Sequence, residues 1–237
     1  MTSRLTRAER TERVRADLLV AARRTFLRRG FHQASLEEIA LAAGWSKGAV
    51  FSNFAGKDEL FLAVLEQSYV DIRAAEHALQ LQATDPLQAI ETLVAFTWDH
   101  YLRHPEFLAL LNSENMLRAG HLKRSRRIRQ MGSPLIELLA DVLARGEASG
   151  VLRSAIDPMQ LYISIAGLAY FYLSNKHTLG AIFGRDLMAA DALAERLAHM
   201  TEVVVAYVRK PAPTRARKRP SGTSRSPIAN ANHRRTA

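Results

Sequence analysis

The sequence predicts an all-α protein of about nine helices, and three observations predict it. Large apolar residues recur at helical spacing from Val14 to Val208. Helix-opening pairs, Asp85-Pro86 and Asp157-Pro158, and isolated Gly residues punctuate those stretches. No segment shows the apolar/polar alternation of a half-buried strand. With 237 residues, 48% of them hydrophobic, the chain has ample material for a buried core.

The first helix is expected from Glu9 to Arg29. Val14, Leu18, Ala21, Ala22 and Phe26 form its inner face, Arg residues the other, and Gly30-Phe31 reads as a left-handed C-cap with its hydrophobic partner. Ser35-Leu36-Glu37-Glu38 reads as a capping box that opens a short helix, with Leu36, Ile39 and Ala40 inward, lasting to about Ala43. Gly44 supplies a turn, and Ser46 caps a second short helix running through Val50 and Phe51 to about Asn53. Gly56 caps a fourth helix, where Asp58 and Glu59 suit the macrodipole and Leu60, Phe61, Val64 and Leu65 face inward. Asp85-Pro86 starts a helix through Ile90, Leu93, Trp98 and Tyr101. Pro105 opens the next, and residues 121–145, interrupted at Pro134, give one or two more. Asp157-Pro158 precedes an apolar helix to Leu173, and residues 186–209 form a last amphipathic one.

Charge divides the chain further. The formal net charge is +10, yet residues 61–209 hold 14 Lys/Arg against 16 Asp/Glu, so all the excess lies at the ends. Residues 1–60 carry 11 against 7, and residues 210–237 carry 8 against none. Basic ends around a neutral middle point to a polyanionic partner, nucleic acid above all. From Pro211 the chain is dominated by Pro, Ser, Arg, Ala and Asn and reads as a disordered basic tail. The absence of Cys excludes disulfides and thiol chemistry and fits a cytoplasmic location. The Arg-rich start lacks an apolar region behind it and does not read as a signal peptide. The apolar run LYISIAGLAYFYL, residues 161–173, is shorter than the roughly 20 residues of a membrane span. No nucleotide-binding glycine motif, hydrolase elbow or zinc-protease signature is present, so the chain is read as a non-enzyme without cofactor.

Residues 35–54 then read as a helix-turn-helix, whose second helix must be short, amphipathic and rigidly supported to fit a major groove. Leu36, Ile39, Ala40, Val50 and Phe54 are its inner face, leaving Lys47, Ser52 and Asn53 outward, while Gly48 allows close backbone approach to a phosphate. Two core helices of an ordinary bundle would share the spacing. The stretch AARRTFLRRGFHQASLEEIALAAGWSKGAVFSNFAGKDELFLAVL carries more than spacing. Through Phe26, Gly30-Phe31, Ser35 to Ala40, Ala43-Gly44, Ser46-Lys47-Gly48, Phe54 and Lys57-Asp58-Glu59-Leu60, residues 8–66 resemble the N-terminal domain of the TetR family of bacterial transcriptional repressors. The resemblance implies phosphate contacts from Ser35, Gly48 and Lys57 and base-edge contacts from Lys47, Ala49, Ser52 and Asn53. The family usually has Tyr at Phe51, whose hydroxyl reaches a phosphate, and commonly Ser at Gly56.

The resemblance further implies a basic arm over residues 1–8, a DNA-binding domain over 9–55, and a helical regulatory domain over 56–209 that binds a small-molecule effector and forms a homodimer. Its last two long helices would meet their symmetry mates. Trp98, Tyr101, Asn112, Asn115, Tyr162, Phe171 and Asn175, with Phe107 and Tyr172 among them, are the candidate pocket residues. His100 and His104 have metal-ligand spacing beside Asp99 but lack a third partner at fixed spacing, so no metal is expected. Lys123 to Arg129 reads as a solvated basic helix face; Arg4, Arg7, Arg10 and the tail segment RARKRP are candidate auxiliary DNA contacts. The expected protein is a repressor released from a palindromic double-stranded DNA operator by its effector, with no membrane role. A helical binding protein or enzyme with an incidental helix-turn-helix, and a TetR-like activator, are the alternatives.

Overall fold

A computed structural model describes residues 6–131 and 134–211. Among them are eleven α-helices and no strand. They are α1 Arg7–Gln33, α2 Leu36–Ala42, α3 Lys47–Asn53, α4 Lys57–His77, α5 Pro86–Arg103, α6 Pro105–Met116, α7 Arg126–Met131, α8 Pro134–Ala148, α9 Pro158–Ser174, α10 Lys176–Phe183 and α11 Ala190–Val208. The count exceeds the expected nine or so because residues 121–145 hold two helices and a short α10 follows α9. Arg4 and the tail segment 215–220 lie outside the described residues.

Local chemistry explains the boundaries. Thr6 and Glu9 form a reciprocal capping box, Glu9 N–H donating to Thr6 Oγ1 (3.2 Å) and Thr6 N–H to Glu9 Oε2 (2.7 Å), so α1 starts at Arg7 rather than Glu9. Gly30 has the positive φ expected of it, but with ψ 174° it is not left-handed helical. It kinks α1, and a last turn carries Phe31 into the core. Ser35 Oγ accepts from Glu38 N–H (3.1 Å), while the Glu38 carboxylate turns to Arg28 and Arg29 instead of closing a box. Ser46, Asp85 and Asp157 each cap their helix by a side-chain oxygen. Gly56 offers none, and Glu59 accepts from Ala55 N–H, just ahead of the helix, at 2.6 Å.

Two apolar cores result. The first gathers Leu18, Phe26, Phe31, Ile39, Val50, Phe54 and Phe61 from α1–α4, with Leu110 of α6 inserted among them. Phe61 sits edge-on to Phe26 and Phe31, ring centroids 5.0 and 4.8 Å away. The second gathers Leu93, Val94, Trp98, Leu139, Ile165, Met200 and Val204 from α5, α8, α9 and α11. At roughly 1.5–3 kcal/mol per fully buried large side chain, each core is a substantial source of cohesion.

A buried joint connects them. Glu114 of α6 accepts from His121 Nδ1 (2.8 Å) through one oxygen, and from the backbone N–H groups of His121 (2.8 Å) and Leu122 (2.9 Å) through the other. The His121 ring packs against Phe31 and Phe61 at 5.2 and 5.0 Å. Arg23 of α1 adds a second tie, pairing with Asp71 of α4 at 3.0 Å and lying 4.0 Å from Glu106 of α6. No helix among the described residues is long and apolar enough to cross a membrane.

Candidate nucleic-acid interface

The helix α3 is held from below and at both ends. Val50 is its only fully buried residue, and Phe54 anchors the exit. The Trp45 indole, just before the helix, donates to Asp17 Oδ2 at 3.1 Å. At the other end Arg15 Nη1 donates to the Asn53 carbonyl at 3.1 Å, its guanidinium 4.4 Å from the Phe54 ring. Asp17 and Arg15 both belong to α1, so one helix fixes the entry and exit of α3. Sequence patterning passed over these two; the signal was Trp45 itself, an indole that needs an acceptor once partly buried.

Opposite this support, Lys47, Gly48, Phe51 and Ser52 are exposed. Lys47 pairs with Glu37 of α2 and lies 5.9 Å from the Phe51 ring. That hydrogen bond from Lys47 holds the Glu37 carboxyl below its usual range. Gly48 has open space around it, a Cβ there meeting nothing nearer than Ser46 Oγ at 3.7 Å. Ser52 and Asn53 turn back on their own helix, donating to the carbonyls of Gly48 (2.9 Å) and Ala49 (2.8 Å), which leaves an acceptor oxygen on each. Ala49 is half-buried against the first core. Ser35, exposed, serves as the α2 cap. Lys57 differs from expectation: its ammonium donates to the carbonyls of His32 and Ala34, both at 3.1 Å, and lies 4.8 Å from the Phe31 ring. It locks the end of α1 to the start of α4. Exposed Arg7, Arg10 and Arg13 line the first turns of α1.

This arrangement, a short capped helix carrying small and basic residues on a three-helix support, is matched by known proteins. Residues 18–64 fit the family model described as "Bacterial regulatory proteins, tetR family", and residues 86–204 fit "Tetracyclin repressor-like, C-terminal domain". The chain belongs to the TetR family. The HTH-type transcriptional repressor NicS of Pseudomonas putida is 35% identical over 204 residues, covering 86% of this chain and 96% of that protein. The HTH-type transcriptional regulator RutR of Escherichia coli K12 is 27% identical, over 81% of this chain and 89% of its own length. Among solved structures, the ketosteroid transcriptional regulator KstR2 of Mycobacterium tuberculosis superposes with a TM-score of 0.62 at 21% identity, covering 83% of this chain and 95% of that one. The chain is thus a TetR-family transcriptional regulator with an N-terminal helix-turn-helix.

In the C-terminal half, the structure does not gather the sequence-predicted pocket residues around one cavity. Trp98 and Tyr101 are buried in the second core, and Tyr162 lies partly buried against it. Asn112 accepts from the Tyr170 hydroxyl, and with Tyr101 it lines a cleft of about 180 Å³ between α5, α6 and α9. Asn115 and Phe171 are exposed, and Asn175 Nδ2 donates to the Phe171 carbonyl at 2.9 Å. Phe107 is core, and Tyr172 donates to the Leu187 carbonyl. A larger cavity, about 370 Å³, opens instead between α4 and α8. His100 and His104 stack with ring centroids 4.5 Å apart, but Asp99 pairs with Arg103 and His104 with Glu106. Lys123, Arg124, Arg126, Arg127 and Arg129 are exposed, as a solvated basic face would be.

Proposed function

We propose that the protein is a homodimeric repressor, with residues 9–55 as DNA-binding domain and 56–209 as regulatory domain. It holds a palindromic operator through α3 of each protomer and releases it when a small molecule occupies the regulatory domain. The observation that carries the reading is the outer face of α3, where Lys47, Gly48, Phe51 and Ser52 stand exposed on a helix fixed to α1 at both ends. Such a helix presents donors and acceptors to base edges without first having to order them. Lys47 reaches a base once it exchanges Glu37 for a stronger acceptor, and Gly48 lets the backbone approach a phosphate. The resemblance to NicS, named a repressor, supports the sign of regulation.

Dimerisation follows from an uncovered apolar stripe. Met159, Ile163 and Phe171 lie on one face of α9, each 49% or more exposed, and Val203 and Tyr207 are exposed one turn apart on α11. Soluble monomers rarely leave such patches bare. An isologous pairing of α9 and α11 sets the two α3 helices about 34–36 Å apart, one turn of DNA. An effector acts by favouring a second packing of α4 and α6, which the Glu114–His121 joint and the Arg23 tie pass to α1 and hence to α3. A coupling of about 1–3 kcal/mol changes operator affinity five- to 150-fold. Salt-dependent gel shifts on the DNA upstream of the protein's own coding region test the reading. The expected result is a palindrome-dependent complex at physiological salt; binding no better than to random duplex overturns it.

A further inference from the structure

We propose that residues 118–129, outside the helix-turn-helix, form a second DNA-contacting surface that grips the phosphate backbone beside the stretch met by α3, a proposal that rests on α3 meeting duplex DNA. Between Glu114 and Glu137 the chain holds six cations, Arg118, Lys123, Arg124, Arg126, Arg127 and Arg129, and no Asp or Glu. The rest of residues 61–209 holds 8 Lys/Arg against 16 Asp/Glu, so this stretch is a positive island in an acidic region. All six are exposed, and none forms an ion pair among the described residues. Exposure alone would suit a solvated face; the anchoring between the cations points further. Arg118 and Ala119 take positive φ, 55° and 59°, in a costly turn after α6. Buried His121 follows, its ring against Phe31 and Phe61 and its Nε2 3.9 Å from Asp58 of α4. Leu122 packs on the first core, and buried Ser125 donates to Glu66 of α4 at 2.6 Å while accepting from Ile128 N–H at 3.0 Å. The basic segment is thus fastened to the same helices, α1 and α4, that support α3. Arg124 also shares a cleft of about 500 Å³ with Gly56 and Lys57, just past the exit of α3. Asp58 and Glu59 line that cleft too, yet Arg124 pairs with neither. A duplex lying on α3 therefore meets these cations on one body, with no domain motion needed, and contacts of this kind position without reading sequence.

The test is binding of the full chain to a random-sequence duplex of about 40 base pairs, followed by fluorescence anisotropy between about 50 and 200 mM salt. The variant Arg124→Gln/Arg126→Gln/Arg127→Gln changes only exposed side chains, and a circular-dichroism melt matching the parent shows that it folds. Each phosphate contact adds about 0.9 to the slope of log affinity against log salt, so the variant is expected to lose about 2–3 from that slope per protomer. Its affinity at about 50 mM salt is expected to fall at least about tenfold. The matching triple Lys variant keeps the charges and is expected to keep the parent slope. An unchanged slope in the Gln variant or an equal fall in the Lys variant overturns the proposal. A loss seen with polyglutamate or phosphatidylserine vesicles but not with duplex assigns the patch to another partner and also overturns it. Random duplex leaves operator choice unread, so an unchanged slope sinks this surface alone, and a missing palindrome preference sinks the operator reading alone. No duplex binding by the parent at about 50 mM salt overturns both.

Discussion

Two buried polar pairs, Glu114–His121 and Arg73–Glu76, are finished to different degrees. At the joint between the DNA-binding helices and α6, both oxygens of Glu114 are occupied, by an imidazole and two backbone N–H groups. In α4, Arg73 bonds to Glu76, with Tyr162 against its guanidinium, and its buried Nε has no acceptor among the described residues. A closed network makes a rigid, single-valued contact, whereas an open one leaves a charge-assisted bond unmade. The difference separates a saturated contact from an unsaturated one.

The sharpest way to break the contrast is Glu114→Ala. It leaves three buried donors without an acceptor, and chemical denaturation is expected to show a loss of about 3–5 kcal/mol. Next comes Phe51→Tyr, which restores a hydroxyl on the exposed face of α3. Gel shifts are expected to show operator binding tightened by about 1.5–3 kcal/mol with the fold unaffected. Lys47→Ala is expected to weaken operator binding by about 1–3 kcal/mol if Lys47 reads a base. An equal loss on all sequences would assign it to a phosphate instead. At the open pair, Arg73→Gln/Glu76→Gln is expected to leave stability within about 1 kcal/mol of the parent, against the large loss at Glu114; a comparable loss would erase the distinction.

Acid makes a gentler probe. Burial, with His104 beside it, lowers the His100 pKa from 6.5 to about 4, so the folded chain keeps this imidazole neutral. The unfolded chain binds the proton first. The contribution from His100 is therefore fully present above about pH 6.5 and is lost as pH falls towards about 4. Thermal melts across that window should flatten in His100→Gln relative to the parent.

The parts of this architecture that were legible in the sequence rest on local signals. Ser46, Asp85-Pro86 and Asp157-Pro158 announce helix starts because a cap is made within three residues. The Thr6–Glu9 box was equally legible, and its T-x-x-E spacing marks the start that apolar periodicity alone places too late. The inward and outward sides of α2 and α3 follow from periodicity, and Ile39, Ala40, Val50 and Phe54 are all buried. Long-range polar pairing left no such trace. Lys57 meets carbonyls 25 and 23 positions earlier, and Trp45 meets Asp17 28 positions away. The candidate pocket residues do not gather around one cavity for a related reason. Helical spacing tells which residues face inward, and Trp98 and Tyr101 do, but it cannot tell where packing fails to close. That depends on how α4 and α8 meet, and the open charged pair there consists of two residues three apart on one helix, a pattern common on solvated surfaces.

One consequence concerns how such a protein changes over generations. Of the seven residues of α3 only Val50 is fully buried, and the contacts that hold its two ends reach it through Trp45 and the Asn53 backbone carbonyl, not through its outer side chains. Substitutions at Lys47, Phe51 and Ser52 therefore cost the fold little, so the outer face of α3 can drift while stability stays in place. A lineage carrying this scaffold can acquire new target sites by exchanging a few exposed side chains.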